Sequence, residues 1–404
     1  MPKASQTQLR RSKPHEPRSA TLAIMSSALR SAARSKLVIC ALVLSQLLFL
    51  LPMLVSYPTL SDQAVGQEQA RQTLDLLTSG ISSGIYDSAP DDLKQINERE
   101  IKALSAASTA AYPSKAFFAA YAEYYDIEIE SVAMGYTEPD PSLYARSELI
   151  HKLAEVDQPD VYVSASKMPT MYYLAFAIGL LPGIALLLPV AAIAFAAQGG
   201  LARRSLMQMA PMDLARKRAA CALVTAGLAL VAIALTLLPG ALIAFVRNGF
   251  GDASYPVVNI VDGTLWSSTV GEVLARDALL VVGSATFIIA LTFAAESVAP
   301  RGGLGLALVL LVAPLTPPYA SQSNGWMAIA RHLPCTYFSC GGIVGLPVYA
   351  NGLDICAIRG ASWELGCSVL GLSALALGLL ALLINAFREL GATKRLEAKT
   401  HGQV

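Results

Sequence analysis

Four cysteines, Cys335, Cys340, Cys356 and Cys367, crowd one stretch late in the chain, and their chemistry depends on the compartment that stretch occupies. In an oxidising one they allow two disulfides in three pairings; the alternative is free thiols packed in half-buried helices. Cys40 and Cys221 fall within or beside apolar runs and read as small packing residues. Other side chains able to do chemistry are dispersed. His15, His151, His332 and His401 occupy separate regions, with no His-Glu-x-x-His and no paired Cys-x-x-Cys, so no metal centre is expected. Ser164 and Ser166 lack the glycine-flanked turn of a serine nucleophile. Gly302-Gly303-Leu304-Gly305 has neither the lysine nor the preceding strand of a phosphate-cradling loop. The chain therefore reads as no enzyme, with no cofactor of its own.

One short segment is suited to contact instead. Within 198–218, Leu206, Met207, Met209 and Ala210 form an apolar side, Pro211 interrupts it, and Asp213 can cap a helix running through Arg216, Lys217 and Arg218. Arg203 and Arg204 border the near edge. Pliable apolar anchors with a charged rim make a docking surface; the plainer reading is a basic loop that only sets topology.

The elements around that segment are membrane spans. Apolar residues make up 54% of the chain, charged residues 15%, and the charges fall in blocks, which excludes an ordinary soluble enzyme. Six stretches approach the length of about 20 apolar residues that a bilayer core demands, at about 37–55, 172–197, 219–246, 278–295, 304–319 and 368–386. Pro314, Pro317 and Pro318 crowd the end of the fifth, which can be short, kinked or re-entrant. In the second, Gly179, Pro182, Gly183 and Pro189 mark either a hinge, carried by Pro182, Gly183 and Pro189, or a packing kink. The first reads as an uncleaved anchor, since Leu51-Pro52-Met53-Leu54 offers no small-residue cleavage site.

Basic residues set the orientation. Eight precede the first span against the single acid Glu16; the 198–218 loop and the tail from 387 to 404 are also basic. Six spans place all three on the cytoplasmic side. Residues 58–171 hold eighteen acids and eight bases, as a translocated domain tolerates. The expected class is mainly α: a polytopic membrane protein with six transmembrane helices and a small α+β extracytoplasmic domain between helices 1 and 2.

Residues 1–21 are basic and too polar to fold, and 22–36 repeat Leu22, Met25 and Leu29 with Arg30 and Arg34 off that face, an interfacial amphipathic helix or merely a basic flank. Helix 1 and its exit occupy 37–57, the exterior domain 58–171 and the other five helices 172–386, with an exterior cysteine-containing loop at 320–367. In the exterior domain, 67–77 and the run of Leu93, Ile96, Ile101 and Leu104 predict helices. Ile127-Glu128-Ile129-Glu130 and Val161-Tyr162-Val163 predict strands. Tyr112, Phe117, Phe118, Tyr121, Tyr124 and Tyr125 form either a core or a ligand-facing stripe. The span interiors hold no ionisable group, and Glu296 lies near a cytoplasmic end, which argues against ion-coupled transport and intramembrane proteolysis.

In this order of parts the chain resembles the permease subunits of type-2 ATP-binding-cassette exporters. The resemblance covers most of the chain. It rests on the interfacial helix, the six spans, the large insertion after the first, and the segment Arg204-Ser205-Leu206-Met207-Gln208-Met209-Ala210-Pro211-Met212-Asp213, which looks like the family's coupling helix. The stretch from Tyr255-Pro256 through Glu272-Val273-Leu274 is similar to one in some bacterial members. The glutamates that often precede the leucine-rich turn are missing from Gln198-Gly199-Gly200-Leu201-Ala202-Arg203. The resemblance implies that Arg203, Arg204, Leu206, Met207, Met209, Asp213 and Arg216 contact a separate cytoplasmic ATPase carrying ATP and Mg. It also implies a second permease half, as homodimer or heterodimer, in a bacterial cytoplasmic membrane, with a small molecule, peptide or lipid-like amphiphile as cargo and no role for nucleic acid. A non-transporting sensor, whose exterior domain detects a ligand or envelope state, is the alternative.

Overall fold

The computed structural model describes residues 17–57, 66–157, 159–162, 164–203, 214–261, 264–298, 308–309, 328–344 and 360–401. Among these the chain is mainly helical. Helix α1 (Pro17–Ala33) precedes α2 (Lys36–Leu54); an insertion of four helices follows, α3 (Gln67–Ser82), α4 (Asp91–Thr109), α5 (Lys115–Ala133) and α6 (Pro141–Glu155). Next come α7 (Thr170–Leu180), α8 (Ile184–Arg203), α9 (Leu214–Asn248), the hairpin β1 (Pro256–Val261) and β2 (Thr264–Thr269), α10 (Val270–Val298), a 3-10 turn (Pro334–Phe338), the short α11 (Gly341–Val344) and α12 (Trp363–His401).

Among the described residues, four helices are long and apolar enough to cross a membrane: α2, α9 from Lys217, α10, and α12 as far as Arg388. The spans expected at 37–55, 219–246, 278–295 and 368–386 fall on them. The span expected at 172–197 is a bent pair instead, α7 and α8 meeting at 80° across Leu181-Pro182-Gly183, and it makes a fifth only if the pair is one span. The fifth expected span, 304–319, lies outside the described residues. The tail expected from 387 continues α12 to His401.

Proline accounts for two features of these helices. Pro182 stands in the break, where it cannot donate to the preceding turn. Pro239 lies inside α9 and so leaves the Leu235 carbonyl without its intrahelical donor. Gln46 of α2 donates its Nε2 to that carbonyl at 2.9 Å. Nearby, the Tyr173 hydroxyl donates to the Phe49 carbonyl, the ring resting where Gly240 has no side chain. A single lattice of polar contacts thus joins α2, α7 and α9 through apolar surroundings.

The insertion departs from the expected α+β domain. Ile127-Glu128-Ile129-Glu130 is helical, part of α5, because Phe117, Phe118, Tyr121, Tyr124 and Tyr125 impose a helical period that a four-residue alternation cannot override. Those five aromatic side chains are buried, which makes the stripe a core. Ser114 caps α5 by accepting from the Phe117 N–H at 3.1 Å, and Asp140 caps α6 through the Ser142 N–H at 2.8 Å. No strand forms at Val161-Tyr162, and Val163 lies outside the described residues. The hairpin that does form follows α9 and is antiparallel, Pro256 opposite Thr269 and Val261 opposite Thr264. It packs against α6, so strand and insertion meet in space though not in sequence.

The insertion leaves and returns at one place. Ala165 N–H donates to the Tyr57 carbonyl at 2.9 Å, and Asn248, ending α9, donates to the Ser166 and Met168 carbonyls at 3.0 and 2.8 Å. Replacing Gln46 by leucine is expected to lower unfolding stability by about 1–3 kcal/mol, the cost of a carbonyl left without a donor where a bilayer, and no water, would face it. Thermal unfolding in detergent checks this, and adding Pro239→Leu, which restores an N–H, is expected to recover most of the loss.

Candidate functional site

Three places in the fold combine polar groups with position. The first surrounds the predicted docking segment. Arg204, Leu206, Met207, Met209 and Asp213 lie outside the described residues, and Arg203 and Arg216 are placed only as backbone in α8 and α9. Their frame is well defined. Arg218, one turn into α9, donates to the Ser297 hydroxyl at the end of α10 and to Asn385 Oδ1 of α12, the latter at 2.5 Å. Arg388 donates to the Val298 carbonyl at 2.9 Å. Helix α1 packs on α8 and α9 at this same end, with the Ser31 hydroxyl on the Ala196 carbonyl at 2.8 Å. Its buried face is Ile24, Ser27, Ala28 and Ala32, whereas Leu22 is 65% exposed. The expected Leu22, Met25 and Leu29 stripe is thus not the packing face: small residues allow the close approach and leave the leucines outward. The described parts of α1, the start of α9 and Arg388 of α12 thus lie at one end of the bundle.

The second place is the break between α7 and α8. A Cβ on Gly183 would stand 1.5 Å from the Phe338 carbonyl oxygen, and one on Gly341 would stand 2.3 Å from the Gly179 carbonyl oxygen. Two backbones touch where only glycine fits. Pro182 and Gly183 stand where α7 and α8 bend and pack against the 334–344 segment, and Pro189 lies within α8. Cys335, Cys340 and Cys367 are free thiols. Two disulfides among four cysteines would require two of these three to be joined, so that expectation is not met; Cys356 lies outside the described residues. Cys335 and Cys340 are buried beneath the turn, which suits packing thiols.

This region also corrects the expectation of charge-free spans. Helix α10 starts at Val270, eight residues before the expected span, and so includes Asp277, which is 1% exposed. The missed signal was the continuation of apolar spacing through Val273, Leu274 and Leu280 on both sides of the acid.

The third place is an open cavity of about 920 Å³ between the end of α6, the 156–162 stretch and the hairpin. Lys152, Glu155, Asp157, Asp160, Asp252 and Glu272 line it. Its acidic lining attracts cations, and the Ser254 backbone N–H holds the Asp252 carboxyl below its usual range. Tyr162 also lines it and packs against Tyr172 and Tyr255, with ring centroids 4.9–5.3 Å apart. Among the described residues no group of three His, Cys, Asp or Glu is placed to hold a metal ion. Comparison with family models, curated proteins and solved structures gave no match.

In the insertion core, burial and the neighbouring Glu128 push the Glu100 carboxyl up to about 7. The folded state therefore holds a proton there that the unfolded chain releases near the ordinary carboxyl range. Its contribution to stability is complete below that range and is lost as pH rises through about 7. Glu100→Gln is expected to flatten this decline and to raise the unfolding temperature at pH 8 relative to the parent, as read by circular dichroism across pH 4–8.

Proposed function

We propose that this chain is the permease subunit of an ATP-binding-cassette exporter. In this reading it lies in a bacterial cytoplasmic membrane with both termini inside, pairs with a second permease half and moves a small molecule, peptide or lipid-like amphiphile. A separate ATPase, holding Mg and ATP, grips the 204–213 segment. The observation that carries the reading is the Arg218 clamp. A push delivered at that segment enters α9 one turn before Arg218 and reaches Ser297 of α10 and Asn385 of α12 directly. A loop that only set topology would need charge near the membrane and no such linkage. Two-state motion of packed helices is the physical means by which a local push becomes a change of access.

The test uses the full chain, tagged and purified in mild detergent from its native membrane. An ATP-binding-cassette ATPase with measurable hydrolysis is expected to co-elute, and joint replacement of Met207, Met209 and Asp213 by alanine is expected to abolish its association. Arg218→Ala is expected to keep the association while weakening stimulation of hydrolysis by amphiphiles. Unchanged association in the triple variant overturns the docking assignment. Binding of a ligand without flux in vesicles would favour the sensor reading instead.

A further inference from the structure

Asp277 has no part in the function just described. It is the eighth residue of a 29-residue apolar helix, buried, and its Oδ1 has no hydrogen-bond partner. Neighbouring charges on α10 are engaged elsewhere. Arg276 lies over Trp266 and Trp363, 5.2 and 5.9 Å from their centroids, and pairs with Glu272 at 3.5 Å.

The elements packed on this part of α10 bring few titratable groups. The 334–344 segment contributes the buried Cys335, Tyr337, whose hydroxyl donates to the Arg331 carbonyl at 2.6 Å, and Cys340, which is close enough to feel the Asp277 charge. Helix α12 contributes the exposed Glu364 and the half-buried Cys367. Helix α7 contributes Tyr172 and Tyr173, and β2 none; α9 brings the exposed Arg247 at its near end, while the arginine of α8 and Arg218 of α9 stand at the far end. Cys340 also lines a cavity of about 10 Å³ at the helix break, with Ser284, Pro182, Gly183 and Phe338. That is about the space one water needs.

A carboxylate sealed from water, with no countercharge beside it among the described residues, is strongly disfavoured in its ionised form. An acid kept in an apolar helix despite that marks function more than packing. A hard metal cation would need about six oxygen ligands, and no such cluster surrounds Asp277 among the described residues. A proton needs one oxygen.

We propose that Asp277 is a proton-binding site. A proton arrives from water, an O–H bond forms on the carboxylate, and the same proton returns to water on release. Nothing is oxidised or reduced. This goes beyond the exporter reading and stands without it, because ATPase association does not depend on Asp277.

Infrared difference spectroscopy of the purified full chain in lipid, recorded between low and high pH, is the test. The parent is expected to show a protonated-carboxyl C=O band that Asp277→Asn removes while the helical amide bands persist. A difference spectrum unaltered by Asp277→Asn overturns the proposal. Should that variant fail to fold, Cys340→Ser provides the second measurement: it is expected to displace the pH midpoint of the band, and an unmoved midpoint overturns the proposal equally.

Discussion

The bundle depends on one constraint: a backbone carbonyl or N–H freed inside an apolar helix must find another partner, because no water is there to supply one. Pro239 and Pro182 each remove a donor, and the fold answers them differently. At Pro239 a side chain from another helix fills the place, Gln46 donating to the Leu235 carbonyl. At Pro182 the helix breaks, and a second backbone segment packs into the gap, touching Gly183 and Gly179 through Phe338 and Gly341. The first solution keeps a helix straight enough to span; the second creates a site where two irregular stretches meet.

Around this break the two ends of the bundle are organised in contrasting ways. At the end that carries α1 and the flanks of the 204–213 segment, long basic side chains tie helix ends together, Arg218 and Arg388 both reaching across to neighbours. At the other end the ties are backbone bonds and aromatic rings, joining Tyr57 to Ala165 and stacking Tyr162, Tyr172 and Tyr255. Movement at the arginine end can pass along whole helices, since α9, α10 and α12 each run from one end to the other. The insertion rides on the far end, held closely enough to follow.

Buried acids appear in both halves and differ in kind. Glu100 sits near Glu128 in a helical core of tyrosines, so like charge and burial act together on it. Asp277 is buried within α10, where the Cys340 thiol feels its charge. The first couples the insertion's stability to pH; the second places a proton acceptor within a described helix of the bundle.

Local pattern was legible along the chain. Runs of apolar residues at 37–55, 219–246 and 368–386, the helical repeat of Ile96 and Leu104, and the aromatic core of α5 could be read because each signal lies within a few turns of one element. What tertiary structure alone decided involves partners far apart in sequence: Gln46 with Leu235, Arg218 with Asn385, Gly183 with Phe338, and a hairpin after α9 that packs against α6. Periodicity reports which face of a segment avoids water, and it carries no record of which distant segment will cover that face. The strands predicted at 127–130 and the start of α10 were misread for the same reason, since the burial that settled both came from neighbours the local sequence does not name.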